Sequence, residues 1–264
     1  MIEEVRFENV TFGYDPDIPV IRNISFTLTR GKKLAIVGPT GAGKSTIINL
    51  LSRFYDPDNG RILVNNIDLK NVPILSWRAR LSIVLQDSFL FPMSVKENIR
   101  FGKPDASDEE VVSAAKTVGA HEFIIKLPNG YDYMIQEGSS NISIGQRQMI
   151  SFARTLLANP EILVLDEATS SVDPYTELVI QRALKKLLTG RMAIIIAHRL
   201  STIRLCDEIL VINNGVIVEK GTHEELMQKG GLYSSFYKLQ FIEEKGFKNP
   251  INLSNQLEET RQKI

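Results

Sequence analysis

Apolar and polar positions alternate through residues 1–30, as in Val5-Arg6-Phe7-Glu8-Asn9-Val10 and Ile24-Ser25-Phe26-Thr27-Leu28. A period near two predicts half-buried antiparallel strands. Asp56-Pro57-Asp58-Asn59-Gly60 predicts a turn, with a further strand at Arg61–Val64. A second pattern follows: short, nearly continuous apolar runs that stop at a polar residue or a glycine. Leu34-Ala35-Ile36-Val37 stops at Gly38, and Ile83-Val84-Leu85 stops at Gln86. Ile162-Leu163-Val164-Leu165 stops at Asp166-Glu167, and Ala193-Ile194-Ile195-Ile196-Ala197 stops at His198. Runs of this kind are strands buried on both faces, hence a parallel sheet covered by helices. Ligands of such sheets bind outside the carboxyl ends of the strands, so the four endings are expected to line one site.

Residues 89–157 read as a mainly helical subdomain, with Asp108-Glu109-Glu110 opening one helix and Gly119 closing it. Beyond about Phe241 the chain turns polar, through Glu243-Glu244-Lys245 and Asn249-Pro250. Residues 1–241 are therefore expected to form the folded domain and residues 242–264 a polar tail with at most one weak helix. No internal repeat is visible.

Composition narrows the class. The chain has 264 residues, 43% hydrophobic and 23% charged, with a formal net charge of zero. That is ample for a large core and gives no general attraction to nucleic acid or acidic lipid. The one cysteine, Cys206, excludes an internal disulfide framework and suits a reducing compartment. The start, MIEEVRFENV, lacks the basic and apolar regions of a secretory signal. No run approaches the roughly 18 apolar residues that span a bilayer.

The candidate chemistry centres on Gly38-Pro39-Thr40-Gly41-Ala42-Gly43-Lys44-Ser45, a match to G-x-x-x-x-G-K-[ST]. Its glycines let backbone N–H groups turn inward around phosphate oxygens. The helix predicted from Thr46-Ile47-Ile48-Asn49-Leu50-Leu51 adds its positive end. In this pattern Lys44 reaches the β- and γ-phosphates and the Ser45 hydroxyl binds Mg²⁺. The preceding apolar strand separates this match from a chance glycine-rich turn. Asp166 would hold Mg²⁺, and Glu167 would polarise an attacking water as general base. A solvated acidic pair opening a loop has the same sequence, and the phosphate loop is what favours the metal reading. His198 and Gln86 also end strands, although a lone histidine serves equally as a structural hydrogen-bonder. His121 and His223 read as structural, the latter at a turn or helix start. Ser143 and Gln146 form a capping-box pattern in Ile142-Ser143-Ile144-Gly145-Gln146-Arg147-Gln148, with a helix running on to Asn159-Pro160. Such a helix start either binds an anion through its N–H groups or is only well capped.

In this order the motifs resemble the nucleotide-binding domain of ATP-binding cassette (ABC) transporters, above all the exporter type, over residues 1 to about 241. Gly38–Ser45 resembles Walker A, continued by Thr46. Ile162–Glu167 resembles Walker B with its catalytic glutamate. Gln86 resembles the Q-loop glutamine, a ligand of Mg²⁺ and water. Ser143, Gly145 and Gln146 fall in a segment similar to the LSGGQ signature, and Ser170-Ser171-Val172-Asp173 is similar to the D-loop. His198 resembles the switch histidine at the γ-phosphate, and Tyr14 the A-loop aromatic that stacks on adenine. Phe91–Ile99 and Glu137 resemble the exporter segments that face the coupling helices of the membrane part. The third signature position is Ile144, where the family usually has glycine. With Glu167 intact, that departure resembles one half of a heterodimeric exporter with unequal ATP sites.

The resemblance implies an α/β fold: a P-loop NTPase core with a parallel sheet, an antiparallel β subdomain and an α-helical subdomain. It implies ATP and Mg²⁺ as ligands and a head-to-tail dimer. Each site would take Lys44, Glu167 and His198 from one chain, and Ser143, Gly145, Gln146, Ser171 and Asp173 would meet the other. It also implies a transmembrane partner at the cytoplasmic face of the cell membrane and no nucleic acid. An exporter-type domain is normally fused behind a transmembrane half, so a fragment or a separately encoded subunit is expected. Two alternatives stand beside this. A soluble ABC-type ATPase acting on ribosomes or DNA would show two cassettes or a coiled-coil insertion, and neither is visible. A non-hydrolysing regulatory module would not need Glu167 and His198.

Overall fold

The computed structural model describes residues 1–85, 88–166, 174–197 and 199–244. Two sheets and a helical layer build it. The first sheet is antiparallel. It contains β1 (Glu4–Phe12), β2 (Ile21–Thr29), β4 (Asn59–Val64) and β5 (Ile67–Asp68), in the order β2-β1-β4-β5. Val5 faces Leu28 and Phe7 faces Phe26 across the β1–β2 ladder, and the two phenyl rings stack 4.4 Å apart. The alternation over residues 1–30 predicted this pair. Asn65 and Asn66, both at positive φ, make the two-residue turn from β4 to β5.

The second sheet holds β3 (Lys33–Val37), β6 (Leu81–Val84), β7 (Ile162–Asp166), β8 (Met192–Ile196), β9 (Glu208–Asn213) and β10 (Val216–Gly221). Its order is β10-β9-β3-β8-β7-β6. The five strands from β9 to β6 are parallel. All four predicted apolar runs are among them. The sheet departs from pure parallel pairing at one edge, where β10 is antiparallel to β9. The reason is local: Asn214 and Gly215 sit at φ 46° and 78° and close a tight hairpin.

Both faces of the parallel sheet are buried, which explains the lack of alternation in its sequence. Leu34, Ile36, Val164 and Ile194 point to one side, where they pack with α1 (Lys44–Leu51) and the inner face of the antiparallel sheet. Ala35, Val37, Leu163, Leu165, Ala193 and Ile195 point to the other, into a core shared with the helical layer. That layer contains α3 (Val95–Arg100), α4 (Asp108–Val118), α5 (His121–Ile124), α6 (Ile144–Ala158) and α7 (Pro174–Leu188). Capping sets its boundaries. Ser107 and Glu110 box the start of α4, and Gly119, at φ 85°, ends it. Asn159, left-handed at φ 47°, ends α6 where Pro160 forbids continuation. The remaining helices are α2 (Ile74–Arg78), α8 (Leu200–Ile203), α9 (His223–Lys229) and α10 (Leu232–Glu244). Among the described residues, no helix is long and apolar enough to cross a membrane.

Candidate functional site

The loop from Gly38 to Gly43 joins the end of β3 to the start of α1. Its backbone is set by three glycines at positive φ: Gly38 at 154°, Gly41 at 79° and Gly43 at 101°. Gly38 has a second reason. A Cβ there would lie 2.1 Å from the carbonyl oxygen of Ile212 on β9, so only glycine lets the loop leave the sheet at that point. Pro39, Thr40, Gly41 and Ser45 are exposed along the loop, whereas Ala42, Lys44 and Thr46 are buried. Gly43 caps α1 without any side-chain bond to the first turn. The first N–H groups of a helix have no partner within it, so this end presents donors and a positive dipole to an anion.

The opposite end of α1 is sealed. Buried Trp77 donates its indole N–H to the Leu51 carbonyl at 2.7 Å. Arg78 donates to the Ser52 and Arg53 carbonyls at 3.1 and 2.8 Å, adding a cation at the helix's negative end.

Lys44 lies under the loop. Its ammonium donates to the carbonyls of Gly38 at 2.8 Å and Pro39 at 2.9 Å. Burial pulls its pKa below the usual lysine value, opposed by the negative charge of Asp166. Asp166 ends β7 and is thus within electrostatic reach of the loop. Ser45 and Asp166 offer a hydroxyl and a carboxylate, the hard oxygen donors that Mg²⁺ takes, and Mg²⁺ completes its shell from phosphate and water. That donor set fits the ion. Among the described residues there is no cluster of three His, Cys, Asp or Glu side chains.

Tyr14 stands beside the same helix. Its hydroxyl contacts Thr46 Oγ1 at 3.3 Å and accepts from Asn49 Nδ2 at 2.8 Å. Phe12 and Tyr55 each meet its ring edge to face at 5.2 Å, and the ring remains 52% exposed. This leaves an aromatic surface tethered to the phosphate-loop helix. Asn49 and Tyr55, which hold Tyr14, carry no mark of this in the sequence. Tyr55 adjoins the predicted turn at Asp56, where nothing marked it as a ring partner.

The Ser143 turn lies in the helical layer. Ser143 caps α6 as the spacing predicted: its Oγ accepts from Gln146 N at 3.3 Å, and Gln146 Oε1 accepts from Ser143 N at 3.0 Å. Gly145 is buried, and a Cβ there would lie 2.4 Å from Thr176 Cγ2 on α7. Glycine is needed at this position for helix packing. Ile144 is in ordinary helical geometry and 45% exposed, so its backbone does not require glycine. Glu137 is exposed on the preceding turn, and Arg147 reaches the neighbouring Gly138 carbonyl at 3.5 Å. Among the described residues, no hydrogen bond or ion pair joins the Ser143 turn to the phosphate loop of the same chain.

Gln86, Glu167, Ser170, Ser171, Val172, Asp173 and His198 lie outside the described residues. His121 and His223 are structural as read. Each opens a helix and contacts a tyrosine hydroxyl through Nδ1, Tyr131 at 3.0 Å and Tyr233 at 2.8 Å.

Comparison with known proteins agrees with this geometry. Residues 21–170 match the family model described as ABC transporter. The chain is 51% identical over 237 residues to a Bacillus subtilis (strain 168) protein named as the uncharacterized ABC transporter ATP-binding protein YfiC, covering 90% of this chain and 39% of that one. It is 46% identical to the ATP-dependent lipid A-core flippase of Syntrophus aciditrophicus (strain SB), covering 92% of this chain and 40% of the flippase. A solved structure of a bacterial Atm1-family ABC exporter with ATP bound superposes with a TM-score of 0.84 at 45% identity, over 90% of this chain and 42% of the exporter. The chain belongs to the ABC transporter family and carries its ATP-binding domain. It spans about two fifths of the length of these relatives.

Proposed function

We propose that this chain is the ATP-hydrolysing motor domain of an ABC exporter, working as a head-to-tail dimer at the cytoplasmic face of a membrane. The observation that carries the reading is the geometry around Lys44. A buried ammonium rests on the loop carbonyls, beside an uncapped helix start and within reach of the Asp166 charge. A triphosphate offers a buried lysine stronger acceptors than those carbonyls, and the glycine-built loop supplies backbone donors for the same oxygens.

In this reading Tyr14 stacks on adenine. Residues Gly38 to Thr46 enclose the phosphates, and Ser45, Gln86 and Asp166 hold Mg²⁺, which neutralises charge on the transferring phosphoryl group. Glu167 takes a proton from the attacking water, and His198 donates to the γ-phosphate. Ser143, Gly145 and Gln146 close the site from a second chain, with Ser171 and Asp173 at the junction. That division suits a Ser143 turn that, among the described residues, shares no hydrogen bond or ion pair with the phosphate loop of its own chain. Catalysis is then positioning and charge stabilisation, switched by a γ-phosphate that both chains bind. The membrane-spanning partner is expected to rest on the Phe91–Ile99 segment and Glu137, beside the exposed rings of Phe89 and Phe101.

Phosphate release from the purified chain tests the enzyme reading. Glu167→Gln is expected to slow turnover by at least about 100-fold, the lower bound for loss of a general base. An unchanged rate removes Glu167 from that role.

A further inference from the structure

One buried network lies outside the nucleotide site and joins two parts of the chain that the sequence keeps far apart. Asn98, on α3, is fully buried, and its side chain bonds the preceding loop. Its Nδ2 donates to the carbonyls of Phe91 at 3.0 Å, Met93 at 3.3 Å and Ser94 at 3.1 Å. Its Oδ1 accepts from Phe91 N at 2.9 Å. Arg154, on α6, meets the same hub. It donates to Asn98 Oδ1 at 2.9 Å, to the Asn98 carbonyl at 2.8 Å and to the Phe89 carbonyl at 3.0 Å.

The guanidinium also lies over the rings of Phe91 and Phe101, at 5.6 and 5.8 Å. Burial pulls its pKa down to about 10. Holding a charge there is costly, and an apolar side chain would fill the space without that cost. What the arginine adds is direction: donors in a rigid plane, two aimed at Asn98, which itself holds the loop, and one at the Phe89 carbonyl of the loop. The contact is tight, since a Cβ on Gly102 would lie 2.2 Å from the Arg154 carbonyl oxygen.

The two ends of this link are unlike. On one side is the segment Ser88–Met93, which begins two residues after Gln86 and carries Phe89, 62% exposed; Phe101, 56% exposed, stands beside it against Phe91. On the other side is α6, whose capped start at Ser143 lies about 16 Å from Arg154 along a continuous helix. A continuous helix of this length is a rigid element that can carry a displacement of the loop to its own start.

We infer that Arg154 is a positioning residue that ties the Phe89–Met93 loop to the Ser143 end of α6, so that force on the exposed phenylalanines moves the turn that closes the partner's ATP site. The functional half of this statement rests on the dimeric reading above; the mechanical link does not.

Hydrogen exchange of the whole chain, with mass-spectrometric readout, tests it in wild type, Arg154→Lys and Asn98→Asp. Lysine keeps the charge and loses the planar donor set, and aspartate keeps the acceptor and loses the amide donors. Both variants are expected to speed exchange of residues 88–94 and 143–150 together, by about tenfold or more, with α4 and α5 as protected as in wild type. Equilibrium ATP binding is expected to stay within about twofold, because the phosphate loop is untouched, and kcat to fall without a matching change in KM. Faster exchange at 88–94 with 143–150 unchanged overturns the link. Equal loosening of α4 and α5 also overturns it, by making Arg154 a general packing residue. A wild-type chain that neither binds nor hydrolyses ATP would remove the functional reading, while the exchange pattern still decides the link.

Discussion

The phosphate loop and the Ser143 turn each open a helix, and they are built by opposite means. The loop is shaped by backbone. Gly38, Gly41 and Gly43 hold positive φ, and Gly38 lies against the Ile212 carbonyl with no room for a Cβ. Its helix start has no side-chain cap, so the first-turn donors are left for a ligand. The turn is shaped by side chains. Ser143 and Gln146 satisfy each other's backbone, and the glycine that matters, Gly145, makes room for Thr176. A site built by backbone admits few substitutions. A site built by caps and packing admits a change wherever neither is touched, and Ile144 is such a position. The departure at Ile144 is then local and leaves the turn's architecture whole.

Substitutions on the two sides can break this contrast. The largest effect is expected at Lys44. Lys44→Ala removes a charge-assisted contact to phosphate and should weaken ATP binding by about 10- to 100-fold, measured by equilibrium titration. The pH dependence has a defined sign. Burial lowers the Lys44 pKa in the free chain, and bound phosphate favours the ammonium. Affinity should therefore be level near neutral pH and fall as pH rises through the lowered Lys44 pKa, and Lys44→Ala should abolish that fall.

Gly38→Ala comes next, with a cost of about 3 kcal/mol from combined strain and overlap at a rigid carbonyl, read from thermal or denaturant unfolding. Gly145→Ala should cost less, about 1–3 kcal/mol, because its obstacle is a side chain. Thr176→Ala removes the obstructing methyl, so the double variant should recover most of the loss; additive costs would mean that Gly145 is needed for another reason. Ile144→Gly is expected to change stability by less than about 1 kcal/mol. A larger effect there would show that the exposed isoleucine is part of the turn's design.

The same contrast explains what could be read from the chain alone. Positions fixed by backbone demands or by strand burial leave a dense trace, so the phosphate loop, the continuous apolar runs and the helix-bounding residues Ser143 and Gly119 are legible. The run Ile209–Ile212 is of the same kind and forms the strand against which Gly38 packs. Positions fixed by contacts across the chain leave no local trace. Asn98 sits in the polar stretch Lys96-Glu97-Asn98 and reads as surface, yet it is fully buried because its partners are loop carbonyls and an arginine 56 residues away. Gly145 lies in the capping-box segment, and its packing against Thr176 depends on the position of α7. Trp77, which closes the far end of α1, was invisible for the same reason.

The central claim is that the ATP site is shared between two chains, and mixing two defective chains tests it. Lys44→Ala disables the phosphate loop. Ser143→Asp keeps a good helix cap and sets a carboxylate against the incoming γ-phosphate. Each variant alone should release little phosphate. Mixed in equal amounts, they form dimers in which the intact loop of one chain meets the intact turn of the other, and phosphate release should partly recover. A Ser143→Asp chain as active as wild type, or a mixture no more active than the average of its parts, would contradict the shared site.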